Sequence, residues 1–294
     1  MSLSDILYIL LAVLSIMHQV YGDVIPRGEE YLHRCLSGKH HKKEPSSEGE
    51  IMKAHCKMHQ SKSCCTWNTT EQIHQDGVLS LYNIVWDQCP HIKNMSDACK
   101  AHFQKDTCFY ECSPNLGPWI QPVTNSKTRK ERIMNVPLCA SQCIDWYHDC
   151  MFDYTCNDNW GLNWNWKKKG TIDMCPKSKS CKTIKEYFPD PQVFCEKIFN
   201  YSFKYETDES NHKCMSFSNV EENAIVAEVA AHKRFIEEHN HADACFISMI
   251  VLIFCSFVHQ THSVLFWDWL ILSTKYLNKC SECQSKMIST RRIW

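Results

Sequence analysis

The chain has 294 residues, among them 20 cysteines and 16 histidines, and a formal net charge of −1. Near-zero charge leaves no electrostatic case for nucleic-acid binding, and only 8 glycines argue against glycine-rich phosphate loops. Sixteen of the cysteines lie between Cys35 and Cys214, about one residue in eleven. That density is rare in a reducing cytosol and is the mark of a disulfide framework outside it. The even number allows eight bridges, with a connectivity that spacing does not give.

In chain order, Ile6 to Leu14 forms a short apolar core and Val20-Tyr21-Gly22 offers small residues to a signal peptidase. Residues 1–22 are therefore expected to be a signal peptide, although Asp5 stands where a basic residue is usual. Residues 23–240 then make one domain with a modest core, supplemented by bridges that restrict the unfolded chain. Residues 23–34 read as a polar lead-in. Residues 39–47 read as a polar loop, in which Pro45 opposes a helix. Thr70 to Tyr82 is expected to be helical, with Thr70 as its cap.

Ser96-Asp97 opens a clearer helix, in which Cys99 and Phe103, then Cys108 and Cys112, recur at i, i+4. In the next, Cys139, Cys143, Tyr147 and Cys150 share one face, with Trp146 beside them. Such stripes suit bridges or metal ligands, and the signs of export favour bridges. Between the two helices, Ser113-Pro114-Asn115-Leu116-Gly117-Pro118-Trp119 is a loop fixed by two prolines and a glycine. Residues 218–238 read as a last amphipathic helix, capped by Ser218 or Asn219, with Ile225, Val226, Val229 and Ala230 facing inward.

Residues 241–294 are a hydrophobic C-terminal region. Its uncharged run, Cys245 to Val258, is short for a bilayer span, and extension to Leu272 crosses His259, His262 and Asp268. Ala242-Asp243-Ala244 resembles a lipid-anchor attachment site, and Lys275, Lys279, Lys286, Arg291 and Arg292 suit the cytoplasmic side of a single span. Membrane attachment is favoured over free secretion. Cys280 and Cys283 beyond it read as a lipidation site, a bridge or neither.

No His-Glu-x-x-His, Gly-x-Ser-x-Gly or phosphate-loop motif is present, so no catalytic residue, metal or cofactor is expected. His40-His41 reads as a solvated loop pair. The sequons at Asn68, Asn94 and Asn200 are expected glycosylation sites. Trp160, Trp164 and Trp166 cluster around Asn163 and Asn165, and Tyr82 and Trp86 lie one helical turn apart. Such aromatics form either core or a slot for a flat ligand.

Several stretches together resemble the folate receptor family. They are Glu111 to Ile120, Lys39-His40-His41-Lys42, the adjacent Cys64-Cys65, Arg129 to Arg132 with Asn135 to Cys139, and Tyr187-Phe188-Pro189. The resemblance runs from about Cys35 to Cys214. It implies an α+β, single globular disulfide-rich domain with several helices and short strands around a deep ligand pocket. It also implies the pairs Cys35–Cys64, Cys56–Cys108, Cys65–Cys112, Cys89–Cys181, Cys99–Cys150, Cys139–Cys214, Cys143–Cys195 and Cys156–Cys175. The family includes endocytic folate receptors, a riboflavin carrier and an egg-surface receptor that binds a sperm protein.

Carried over residue by residue, the resemblance puts Asp106 against the amino-pyrimidine edge of a pterin. Arg129, Arg132 and Ser202 face the acceptor edge, and Tyr110 and Phe199 sandwich the ring. Tyr82, Trp86, Trp160, Trp164, Trp166 and Phe203 complete the expected ligand-binding set. Phe199 and Phe203 replace a family tryptophan and tyrosine. At the tail end Ile84 replaces a phenylalanine, Thr128 a tryptophan, and Gly161-Leu162-Asn163 a His-Lys-Gly. The expected function is a cell-surface or secreted folate-type vitamin receptor with endocytic delivery. The alternative is an adhesion receptor with a vestigial pocket and a protein partner on another cell; Asp106, which the egg-surface branch lacks, weighs against it.

Overall fold

The computed structural model describes residues 28–53, 55–123, 130–162, 175 and 179–238. Short helices and two-stranded pairings surround one aromatic core, an α+β arrangement. Helix α1 (Glu29–Leu32) precedes strand β1 (His41–Ser46), which pairs antiparallel with β2 (Ser63–Cys65). Helix α2 (Trp67–Ile73) leads to the long α3 (Asp97–Cys112). Strands β3 (Ile120–Pro122) and β4 (Glu131–Ile133) form an antiparallel pair, and β5 (Val136–Cys139) runs into α4 (Ala140–Cys150). Strand β6 (Tyr154–Thr155) pairs with β7 (Lys182–Thr183). Then come α5 (Ile184–Tyr187), α6 (Pro191–Lys197), β8 (Phe203–Glu206), which lies parallel to β5, and α7 at 220–238.

Helices α3 and α4 form where the cysteine period places them. The Ser96 hydroxyl caps α3 by accepting from the Cys99 N–H, while donating to Asp153 at 2.6 Å. Bridges leave α3 at Cys99 for Cys150, at Cys108 for Cys56 and at Cys112 for Cys65. The other five are Cys35–Cys64, Cys89–Cys181, Cys139–Cys214, Cys143–Cys195 and Cys156–Cys175, so all eight pairs are those the resemblance implies. Trp146 of α4 is fully buried at the centre, edge-on to Phe103, Phe194 and Phe217 at 5.3, 5.0 and 5.4 Å. The loop after α3 needs its glycine, because a Cβ on Gly117 would lie 1.6 Å from the Tyr31 carbonyl oxygen.

Local expectations differ from the structure in four places. The lead-in carries the helical turn α1, anchored by the buried ring of Tyr31. The polar stretch at 39–47 contains β1, held to β2 as an edge strand that accommodates Pro45. Helix α2 starts earlier, after Thr66, and ends at Ile73, and Thr70 lies inside it bonding back to the Trp67 carbonyl.

Helix α7 is rotated from the expected face: Val226, Ala227 and Ala231 are buried, whereas Ile225 and Val229 are 39% and 60% exposed. A polar residue sets that rotation. The fully buried Asn223 amide donates to the Ser216 carbonyl at 2.7 Å and accepts from its N–H at 3.0 Å. Asn219 is the cap, accepting from the Glu222 N–H. At the far end Arg234 donates to the carbonyls of Pro118 and Ile120 and lies over the Tyr31 ring.

This rotation predicts that Val226→Ala lowers unfolding stability by about 1–3 kcal/mol, whereas Val229→Ala changes it by less than about 0.5 kcal/mol. Urea denaturation of the full chain measures both. Equal losses would contradict the observed face.

Candidate functional site

One stripe of α3 carries Phe103, Asp106 and Tyr110, at the i, i+3, i+7 spacing that puts side chains on one face. Asp106 is 4% exposed, and among the described residues its Oδ1 has no hydrogen-bond donor. Burial pushes its carboxyl pKa well above the usual carboxylate range. A buried acid with unmet acceptor capacity is expensive to keep, and its ionised form awaits donors from elsewhere.

Its neighbour Glu111 differs. The Tyr82 hydroxyl donates to Glu111 Oε1, and the buried His41 ring places Nδ1 3.3 Å from Oε2. Burial raises the Glu111 pKa to about 7 and lowers that of His41 to about 4. Between those values both groups are neutral, so the contact is not an ion pair despite its distance. His41 also stands edge-on to Tyr110, and His40 edge-on to Tyr82, both with centroids at 5.9 Å. The histidine pair expected in solvent is therefore packed against site tyrosines. Its sequence signal, two histidines among lysines, resembles any exposed loop.

A second cluster forms at the turn before β8. Arg132 of β4 donates from Nη2 to the carbonyls of Phe199, at 3.3 Å, and Asn200. The Ser202 hydroxyl donates to the same Phe199 carbonyl at 2.9 Å. Asn200 and Tyr201 have φ of 52° and 60°, the left-handed turn that brings this carbonyl round. Phe103 joins the clusters, edge-on to Phe199 at 6.3 Å and stacked on Trp160 at 4.5 Å and 6°. Phe103, on the same face of α3 as Asp106 and Tyr110, thus connects that face with the turn held by Arg132, Phe199 and Ser202.

The remaining expected residues divide. Trp86 is 4% exposed and lies 5.9 Å from Phe103, and Ile84 is buried in the same core. Trp160 is 2% exposed, with its indole N–H directed to Thr155 Oγ1 at 3.2 Å. Phe203 is buried among Phe109 and Phe217. Arg129, Trp164, Trp166, Thr128 and Asn163 lie outside the described residues, as do 1–22 and 241–294. Asn68 and Asn94 are exposed and Asn200 half-buried. A surface cavity of about 290 Å³, with His41 in its wall, and another of about 260 Å³ also occur, and Asp106 lines neither.

With that geometry in place, the family model for the Folate receptor family matches residues 34–216, more than half of the chain. The chain belongs to the folate receptor family. It is similar to folate receptor gamma of Homo sapiens, 45% identical over 175 residues, covering 60% of this chain and 68% of that protein. For folate receptor alpha of Homo sapiens the values are 43% over 175 residues, 60% and 65%. For riboflavin-binding protein of Gallus gallus they are 33% over 191 residues, 65% and 74%. Folate receptor family members are extracellular binding proteins, at the cell surface or secreted, and are not enzymes.

The Glu111 carboxyl makes stability depend on pH. Its folded pKa lies above the unfolded value, so the native state binds the proton more tightly. Stability from this group is full below about pH 4.5 and is lost as pH rises towards 7. Glu111→Gln keeps an acceptor for Tyr82 and removes that loss. Relative to wild type, the variant should gain up to roughly 3 kcal/mol between pH 4.5 and 7.5. Denaturant midpoints at the two pH values test this; a constant difference would place the charge elsewhere.

Proposed function

We propose that the chain is a cell-surface or secreted receptor for a folate-type vitamin, and that its pterin ring is anchored by Asp106. The observation that carries the reading is the buried carboxyl oxygen without a donor, one helical turn before Tyr110 on α3. A carboxylate can accept two parallel hydrogen bonds from an amino-pyrimidine edge, a contact both strong and geometrically selective. Arg132 and Ser202 supply donor chemistry at the Phe199 turn, Phe199 and Tyr110 supply faces for stacking, and Arg129 is assigned to the acceptor edge. Trp86, Trp160 and Phe203 back these rings from the core, and Trp164 and Trp166, outside the described residues, are assigned to the ligand by the family resemblance. The names of the folate receptor relatives support folate as the ligand class.

In the same reading, residues 1–22 are removed on export, 23–240 form the receptor domain and 241–294 attach it to the membrane. Asn68, Asn94 and Asn200 carry glycans, and uptake is endocytic. An adhesion role with a protein partner gives Asp106 nothing to do. It is the second outcome of the test that follows.

Titration of the full chain with folate, followed by tryptophan fluorescence, should show saturable quenching. Asp106→Ala should weaken binding by about 2–4 kcal/mol, on the order of 30-fold to 1,000-fold, because the ring donors lose a charged partner. Absence of quenching by folate favours the adhesion reading, and an unchanged affinity in the variant removes Asp106 from the site.

The altered tail residues lead to a further prediction. Leu162, 57% exposed, offers no cation to a glutamate tail, and Thr128 offers no aromatic wall. Folate and its truncated analogue pteroate should therefore bind within about tenfold of each other, at most about 1.4 kcal/mol. Thr128→Trp with Leu162→Lys should strengthen folate more than pteroate. A wild-type preference for folate of roughly a hundredfold would show that other residues hold the tail.

A further inference from the structure

Two bridges meet where β6 and β7 pair. The Sγ atoms of Cys89, Cys175 and Cys181 all lie within 4.8 Å of one another, yet they belong to separate pairs, Cys89–Cys181 and Cys156–Cys175. No other three cysteines among the described residues are so placed. Sulfurs in bridges are neither thiolates nor metal ligands, so their proximity bears on exchange and not on ligation. The sheet places the fourth sulfur. Strand β6 runs antiparallel to β7 with Tyr154 opposite Thr183 and Thr155 opposite Lys182, and the next step of that register sets Cys156 opposite Cys181. Opposed residues in an antiparallel pair have Cα atoms about 4.5–5.5 Å apart, inside the span of about 4.4–6.8 Å that a disulfide accepts. The backbone therefore suits a second pairing, Cys156–Cys181 with Cys89–Cys175, besides the one observed.

Exposure sets the point of entry. Cys89, Cys156 and Cys175 are 1%, 6% and 7% exposed, whereas Cys181 is half-buried. Lys182 follows Cys181 directly and Lys179 precedes it by two residues. The Lys179 ammonium donates to Asn157 Oδ1 at 2.9 Å, next to Cys156. These cations favour a thiolate released here and attract an anionic thiol from solvent.

We propose that the four cysteines form a thiol-exchange centre, at which a low-molecular-weight anionic thiol of the glutathione class switches their pairing. The external thiolate attacks Cys181 Sγ. The Cys89–Cys181 bond breaks, a mixed disulfide forms on Cys181, and Cys89 leaves as a thiolate. Cys89 attacks the neighbouring Cys175 Sγ, which closes Cys89–Cys175 and releases the Cys156 thiolate. Cys156 attacks the Cys181 sulfur of the mixed disulfide, which closes Cys156–Cys181 and returns the external thiolate. On balance two bridges are broken and two are made without net oxidation, so the thiol acts as a catalyst. The switch opens the loop closed between Cys156 and Cys175, 19 residues apart. That loop contains Trp160, which stacks on Phe103 in the aromatic core.

The test incubates the full chain with reduced glutathione at neutral pH, quenches it with acid and an alkylating reagent, and maps the disulfide-linked peptides by mass spectrometry. Peptides joining Cys89 to Cys175 and Cys156 to Cys181, with glutathione on Cys181 as the intermediate, are expected. They should appear at least about tenfold faster than alkylated cysteine at any of the other six bridges. In Cys156→Ser the freed Cys175 should pair in part with Cys89 or Cys181 without added thiol, at the expense of Cys89–Cys181. If that variant does not fold, the wild-type map alone decides. Persistence of both observed pairs in the wild type, whether or not other bridges open, overturns the proposal. So does a fully retained Cys89–Cys181 beside a free Cys175 in the folded variant.

Discussion

Three disulfides leave one helix, and the burial of Asp106 depends on them. Cys99, Cys108 and Cys112 tie α3 to α4, to the segment before β2 and to β2 itself, and Asp106 lies between the first and second of these ties. A carboxyl held out of water without a donor costs several kcal/mol, which is comparable with the whole stability of a small domain. An unbraced helix could relieve that cost by turning or fraying towards solvent. Bridges that close loops of 47 to 52 residues instead restrict the unfolded chain, each by roughly 4 kcal/mol in the chain-entropy account. The covalent framework offsets the unfavourable burial of Asp106, and in the proposed reading this links the cysteine density to ligand binding.

The opposite side is organised around one carbonyl. Arg132 and Ser202 both donate to Phe199 O, and the left-handed Asn200 and Tyr201 that follow it lead back into β8 alongside β5. Phe103, rising from α3, contacts the Phe199 ring from one side and stacks on Trp160 with the other. A displacement of α3 therefore reaches both clusters through a single fully buried phenylalanine, because close-packed cores transmit shifts rather than absorb them.

How much of this was legible in the sequence varies with what sets each feature. Helices α3 and α4 could be read directly, since cysteines at i, i+4 must face a common partner. Their pairing could not; it came from family resemblance, because spacing leaves the connectivity open. The rotation of α7 is not legible in sequence, because Ile225 and Val229 look like core, whereas Asn223, a polar residue, makes the contacts that orient the helix. The boundaries of α2 were misplaced because Thr66 and Thr70 are equally plausible caps on sequence grounds. In the candidate site, Asp106 carries no local signal at all, and its burial arises from contacts distant in the chain. His41 and Glu111 were missed as a pair for the same reason, lying 70 residues apart in number but 3.3 Å apart in space.

Two buried acids lie on α3, and the Tyr82 hydrogen bond distinguishes them. Glu111 Oε1 accepts from the Tyr82 hydroxyl, whereas its Oε2, beside His41 Nδ1, has no donor among the described residues; its raised pKa reports burial partly offset by the Tyr82 bond. Asp106, five residues earlier, has no donor for Oδ1 among the described residues. In the proposed site the Tyr82 hydroxyl is committed to Glu111, so that tyrosine would offer a ligand its ring face and not its proton. A ligand with two adjacent N–H donors would return to Asp106 the solvation that folding removed, so much of its affinity would be a desolvation cost already met in the empty protein. Selectivity follows from the same imbalance. A flat ring without those donors would stack equally well on the aromatic faces yet leave the carboxyl unpaired in the apolar interior. It would be rejected for the hydrogen bonds it fails to make.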